Sequence, residues 1–268
     1  MVSETNPPAH QSLLELKALQ ARPARSRDEL ESAYRLVYDS YRTRDYIPES
    51  ESGMRLSVFN CFPGTVTFVS VFRSDVISTI TLVEDTPAGL PMDAIYSDEL
   101  RPLRRAGRKV AEATMFADRR QSDYRRTLPM LLLLMKRVFD YCVLVAAIDD
   151  ICITINPRHE MFYEKRLIFE PLGGLKSYPS VQDAPALAKR LNLHTSEERA
   201  REHKQLWQLF YEDRTDPAML EGSFRFDCED LRYFLVESTT VLREAAPEKV
   251  AALQESYPGC PWENWLRG

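Results

Sequence analysis

The chain has only four histidines. They are scattered, and none stands at ligand spacing from a cysteine or an acid, so no metal site is expected. Cysteine is also sparse: the five residues Cys61, Cys142, Cys152, Cys228 and Cys260 form no Cys-x-x-Cys pair. An odd count without paired spacing fits a reduced compartment, and Cys142 and Cys152 lie in apolar runs that read as core. There is no excess of positive charge. The formal net charge is -5, which gives no overall footing for nucleic acid. The first ten residues are polar with two prolines and lack the apolar stretch of a secretory signal. Leu128–Ile148 is the longest apolar run, but Lys136, Arg137 and Asp140 interrupt it, which predicts a buried helix rather than a membrane span. A cytoplasmic protein is expected.

At 268 residues, 44% of them hydrophobic and 28% charged, the chain suits one large domain with an appendage. Residues 1–21 read as a polar leader, 22–195 as the main domain and 196–268 as a helical C-terminal extension. Arg22–Ser26 suggests a short first strand. Ser26 stands three residues before Glu29, the spacing of a capping box, and Leu30, Ala33, Tyr34, Val37 and Tyr41 follow with helical period. Asp45–Cys61 reads as a loop. Thr65–Phe72 and Val76–Val83 form a predicted hairpin around Arg73-Ser-Asp75. A helix over 94–104 and a strand over 109–116 follow. Thr127 is the expected cap of a long helix over 128–147, with Pro129 tolerated in its first turn. A strand at 151–155, a short helix at 157–166 and closing strands at 175–181 and 186–193 complete an α/β (α+β) pattern: a mixed, mostly antiparallel sheet flanked by helices. The extension carries Phe210, Tyr211, Tyr233, Phe234, Trp262 and Trp265, which could pack on the core, form a homodimer seam or cover a substrate site.

One carboxylate stands out. Glu112 sits in Val110-Ala-Glu-Ala-Thr-Met-Phe-Ala117, an apolar run that reads as a buried strand, where an acid needs a partner or a purpose. Two basic clusters flank it: Arg101, Arg104, Arg105, Arg108 and Lys109 before the strand, and Arg119, Arg120, Arg125 and Arg126 after it. On an acidic protein such clusters suit an anionic partner; as a rule, charge runs are solvated loops.

Several motifs in order resemble the GNAT acyltransferases, and within them the FeeM-like N-acyl amino acid synthases and the related LuxI-type acyl-homoserine-lactone synthases. The motifs are Tyr34-Arg-Leu-Val-Tyr-x2-Tyr41 through Tyr46-Ile47, Gly89-Leu-Pro-Met-Asp93, Glu99-Leu-x2-Leu-Arg104, Val110-Ala-Glu112, Asn156-Pro-Arg-His159-x2-Phe-Tyr163 and Phe169-Glu-Pro-Leu-Gly173. The resemblance spans roughly residues 25–193. It implies a GNAT-like sheet and transfer of a fatty acyl group from an acyl carrier protein thioester to the amine of an amino acid. No tightly bound cofactor is implied, only an acyl-phosphopantetheine co-substrate, with acyl-CoA as the alternative donor.

In that frame Glu112 is the candidate base, the alternative being a buried glutamate paired with an arginine. Tyr163 stands where GNAT enzymes carry a tyrosine near the departing thiol, unless it is aromatic packing beside Phe162 and Phe169. His159 is a base or oxyanion donor, or a helix-start histidine bonded to backbone. Thr114, two positions from Glu112, should share its face. Coenzyme A-dependent relatives carry a glycine-rich turn after this strand to cradle pyrophosphate. Here Asp118–Arg126 has no glycine, and the arginines 119, 120, 125 and 126, with Arg104 and Arg105, are assigned to carrier-protein phosphate. Arg35 and Arg158 are candidates for the amino acid carboxylate. Two departures argue against lactone synthesis: Met115 and Thr81 stand where that pattern expects arginine. Ile168 stands where most relatives have glycine. An ordinary acetyl-CoA-dependent acetyltransferase and a non-catalytic GNAT-like binding module are the rival readings.

Overall fold

The computed structural model describes residues 19–119 and 124–266, without the side chains of 124–126. The leader up to residue 18, the whole of Arg120, and the side chains of Arg125 and Arg126 therefore lie outside the described residues. Seven strands form one sheet in the order β1-β2-β3-β4-β5-β7-β6. They are β1 (Gln20–Pro23), β2 (Val66–Phe72), β3 (Asp75–Glu84), β4 (Val110–Asp118), β5 (Asp150–Ile155), β6 (Glu170–Tyr178) and β7 (Ala184–Asn192). Every neighbouring pair is antiparallel except β4 with β5, so the expected mixed, mostly antiparallel sheet is what forms.

Local chemistry accounts for the elements. Ser26 caps helix α1 (Arg27–Arg42) by accepting from the Glu29 N–H at 3.2 Å. The Glu29 carboxylate turns instead to the Arg25 N–H and the Arg22 guanidinium, so the reciprocal half of the capping box goes to the residue before the cap. Arg73 and Ser74 both have positive φ, the conformation of a two-residue hairpin turn, without the glycine that usually supplies it. Helix α2 is Asp93–Arg105. Helix α3 runs Tyr124–Tyr141, so Thr127 lies inside it rather than capping it; a π turn over Cys142–Ala146 ends it. Its Lys136 and Asp140, which broke the apolar run, form a buried ion pair completed by Thr215. None of the helices among the described residues is long and apolar enough to cross a membrane.

Alternation sorts the strands onto two faces. Phe68, Ile80, Leu82, Ala111 and Ile151 meet Leu134, Met135 and Val138 of α3 on one face. Val69, Val76 and Ala117 meet Tyr34 and Val37 of α1 on the other, where Val83, Val110 and Cys152 continue the face under Leu100 and Leu103 of α2. The C-terminal residues share these cores: Ala200, Leu206 and Phe210 join the α3 side, and Leu231, Leu235 and Trp262 the α2 side. Cys228 and Cys260 form a disulfide within the extension, which corrects the expectation of a wholly reduced set. Cys61, Cys142 and Cys152 are free and buried.

Candidate active site

The sheet opens at its centre. β4 and β5 pair only where Val110–Glu112 meets Asp150–Cys152. Past that point β4 stays with β3 while β5 follows β7. A register shift against β3 between Thr79 and Thr81 accompanies Met115, whose φ is +56°; such a bulge adds a residue to one strand and bends it. The resulting wedge holds a cavity of about 400 Å³, walled by Ala113–Phe116 on one side and Ile153–Ile155 on the other. Its lining comes from both faces of the sheet. Leu128, Leu131, Met135, Phe162 and Tyr163 enclose the apolar end, and Ser40, Tyr41, Arg44, Tyr46 and Tyr178 the polar end. The Thr154 hydroxyl is buried there with no hydrogen-bond partner among the described residues.

Glu112 lies just behind this wall. It is fully buried, and its Oε2 accepts the Met92 N–H at 2.8 Å. Its Oε1 has no hydrogen-bond partner, and no arginine pairs with it among the described residues. Burial, with the nearby Asp93 carboxylate, raises its pKa to about 8, against the pull of the Met92 N–H. Tyr41 and Tyr178 line the cavity, and burial, with a smaller push from the Glu112 carboxylate, raises the pKa of each.

The turn that delivers Met92 is the Gly89-Leu-Pro-Met-Asp93 motif. Gly89 has φ +76°, and a Cβ there would meet Asp93 Oδ2 at 2.6 Å. Asp93 accepts the Leu90 N–H at 2.7 Å, and Arg104 grips Asp93 and Asp85 with bonds of 2.6–2.8 Å. Arg104, assigned from the sequence to carrier phosphate, is matched here by two carboxylates and holds the turn over Glu112. Arg108 is similarly committed to Asp150, while Arg105 is exposed. Arg119 donates to the Val76 carbonyl and lies 3.6 Å from Asp75.

Thr114 shares the Glu112 face, opposite Thr81 as Glu112 is opposite Val83, and it lines the cavity. Tyr163 does two things at once. Its ring packs edge-on against Phe162 and Phe169, and it faces the cavity, where burial pushes its pKa up to about 12. His159 and Arg158 both line the cavity, and Arg158 Nε donates to His159 Nε2 at 3.0 Å. Desolvation and the charges of Arg158 and Arg44 lower the His159 pKa, which favours the neutral ring. Arg35 lies elsewhere on α1, bonded to Glu31 and the Ser52 carbonyl. Arg44, Tyr41, Tyr178 and Thr154 were not singled out by sequence reading as site residues. The cluster Tyr41-x2-Arg44-x-Tyr46 at the end of α1 was the available signal.

The cavity's basic and acidic lining is one-sided. Among the described residues Arg44, Arg158 and His159 are present, and no aspartate or glutamate is. Such a site takes a ligand with an anionic end and an apolar end.

The model of the N-acyl amino acid synthase FeeM family matches residues 32–192. The solved structure of FeeM, an N-acyl amino acid synthase from uncultured soil microbes, superposes with a TM-score of 0.58 at 31% identity, covering 67% of this chain and 93% of that one. BjaI, a CoA-dependent acyl-homoserine lactone synthase solved with SAM and isopentyl-CoA, gives 0.53 at 16% identity over 81% and 97%. The acyl-homoserine lactone synthase LasI gives 0.51 at 13% over 74% and 96%. No curated protein sequence matches. From its sheet, its wedge and these matches, the chain is an acyltransferase and belongs to the FeeM family of N-acyl amino acid synthases.

Proposed function

We propose that the protein moves a long fatty acyl group from the phosphopantetheine thioester of acyl carrier protein to the amine of an amino acid, giving an N-acyl amino acid. The observation that carries this is the cavity in the β4–β5 wedge, apolar at its α3 end and cationic at its α1 end. The acyl chain lies along Leu128, Leu131 and Met135. The amino acid enters from the opposite face with its carboxylate on Arg158 and Arg44, a role in which Arg35 has no part because it lies outside the cavity.

The reaction is then aminolysis. The amine nitrogen attacks the thioester carbonyl carbon, the C–S bond breaks, and the displaced sulfur takes a proton. Glu112, held at a pKa of about 8, is the final acceptor of the amine's proton, which is relayed by the Tyr41 or Tyr178 hydroxyl: the tyrosine oxygen takes the amine's proton as its own passes to the carboxylate. Tyr163 stays protonated at working pH and donates to the sulfur. Thr114 and the partnerless Thr154 hydroxyl offer donors along the wedge. The carrier protein docks through Arg119, Arg120, Arg125 and Arg126, in the place where a coenzyme A cradle would need glycine, and through Arg105 before the strand.

Intact-mass analysis of palmitoyl-loaded carrier protein with pooled amino acids, for the native chain and Glu112→Gln, tests this. Deacylation with a new N-acyl amino acid, lost in the variant, is expected. Consumption of acetyl-CoA with the loaded carrier untouched would replace this reading with an ordinary acetyltransferase. If neither donor reacts, the binding-module reading takes its place.

A further inference from the structure

The peptide group between Pro91 and Met92 is bonded at both ends. Its N–H, on Met92, donates to Glu112 Oε2 at 2.8 Å, and its carbonyl, on Pro91, accepts the Tyr178 hydroxyl at 3.1 Å. The Ala94 N–H reaches the same carbonyl at 3.3 Å. A trans peptide points its C=O and N–H in opposite directions, and a donor bonded to the carbonyl polarises the N–H at the other end. Tyr178 and Glu112 therefore belong to one chain of hydrogen bonds that runs through the main chain.

Tyr178 ends β6 and lines the wedge cavity, and burial pushes its pKa up, so the hydroxyl keeps the proton that it shares with Pro91. The hairpin beyond it is tied to the loop that follows α1, because the Arg55 guanidinium donates to the Ser180 carbonyl at 3.0 Å. The ionisable groups that face Glu112 are Asp93, itself gripped by Arg104 and close to Lys249, Cys152 directly across on β5, Tyr41 on α1 and Tyr178 on β6; Arg55 faces both tyrosines. Oε2 takes the Met92 N–H, and Oε1 has no hydrogen-bond partner among the described residues.

We propose that Tyr178 is a positioning residue for Glu112 that acts through the Pro91–Met92 peptide, fixing the turn over the carboxylate and making the Met92 N–H a stronger donor to it. A stronger donor favours the charged form, so Tyr178 makes Glu112 more available as a base than burial alone would leave it. The Tyr178 proton is already directed at a carbonyl. Of the two tyrosines that line the cavity, Tyr41 is then the one that relays the amine's proton. That last step rests on the acyl-transfer reading, and the coupling through the peptide does not.

The test is NMR of the full-length protein with isotope-labelled glutamate and backbone, in the native chain and in Tyr178→Phe; Glu112→Gln identifies the Glu112 signal. Loss of the hydroxyl should move the Met92 amide proton upfield. It should also raise the Glu112 pKa by roughly 0.1–0.6, the size set by polarisation of about 10–30% in one bond to a charged group. Incorporation of 3-fluorotyrosine in place of Tyr178, a stronger donor of nearly the same volume, should move both signals the other way, and it stands in should the phenylalanine variant fail to fold. Tyr41→Phe should leave the Met92 amide where it is. Unmoved signals in folded Tyr178→Phe, or an equal rise of the Glu112 pKa in Tyr41→Phe, would overturn the coupling. In transfer assays the alkaline rise in rate should follow the NMR pKa, and Tyr41→Phe should be slow; full rate in that variant would overturn its relay role. Should the NMR signals move while no donor is turned over, the coupling stands and the acyl-transfer reading falls.

Discussion

Met92 and Glu112 are joined by a 2.8 Å hydrogen bond from a main-chain N–H to a carboxylate oxygen that water does not reach. The bond ties the Gly89–Asp93 turn to the centre of the sheet, so the turn's geometry and the acid's protonation depend on one another. One donor is not enough to offset full burial, and the pKa settles at about 8.

That pKa sets a pH dependence with a definite sign. Between 4.5 and about 8 the folded protein keeps the Glu112 proton while the unfolded chain has released it. Folding is therefore favoured most at the acid end of this window and loses up to about 5 kcal/mol as pH rises through it. Thermal melts at about pH 5 and about pH 9 should show a falling midpoint in the native chain and a flatter one in Glu112→Gln, which cannot lose the proton. Equal slopes would mean that Glu112 is not held neutral. The rate should run the other way, rising toward alkaline pH as the base becomes available.

Tyr163 has ring packing to Phe162 and Phe169 on one side and the cavity on the other, so its hydroxyl can be removed without disturbing the core. Tyr163→Phe should keep its melting temperature and lose roughly a hundredfold in kcat, the usual scale of one proton donor. A thioester with a more acidic thiol needs less help in leaving, so the deficit should shrink with such a donor. A deficit that is the same for both donors would assign Tyr163 to packing alone.

Much of this frame was legible along the chain. The Ser26 cap, the period of α1, the hairpin and the shared face of Glu112 and Thr114 all follow from local spacing, because caps and alternation are local physics. The wedge was not legible. It depends on a bulge at Met115, a non-glycine residue at positive φ with no turn signal around it. The ion pairs of Arg104 were not legible for a related reason: a basic run looks the same whether its arginines face solvent or reach Asp85 and Asp93 across the fold. The Cys228–Cys260 pair spans 32 positions, and pairing at that distance is a property of the tertiary structure.

The cation pair at the cavity mouth makes a prediction about the acceptor. Replacing both Arg44 and Arg158 with glutamine should raise KM for the amino acid roughly ten- to hundredfold, as loss of charge-assisted hydrogen bonds does, and leave kcat nearly intact. A primary amine that lacks the carboxylate should react equally with both proteins. Initial-rate kinetics on the two acceptors decide it: a loss shared by both would mean that the arginines bind the donor instead.

Gly89 offers a test of the turn itself. Alanine there faces two penalties, a φ of +76° and a Cβ placed 2.6 Å from Asp93 Oδ2. Asp93 cannot simply retreat, because Arg104 and the Leu90 N–H hold both of its oxygens. Gly89→Ala should therefore lower the urea-unfolding free energy by about 1–3 kcal/mol. The displaced turn would also draw the Met92 N–H away from Glu112, which removes the one contact that lowers that pKa. The alkaline rise in rate should then shift to still higher pH in this variant. A destabilised protein with an unmoved pH–rate profile would separate the turn's structural role from any hold on Glu112.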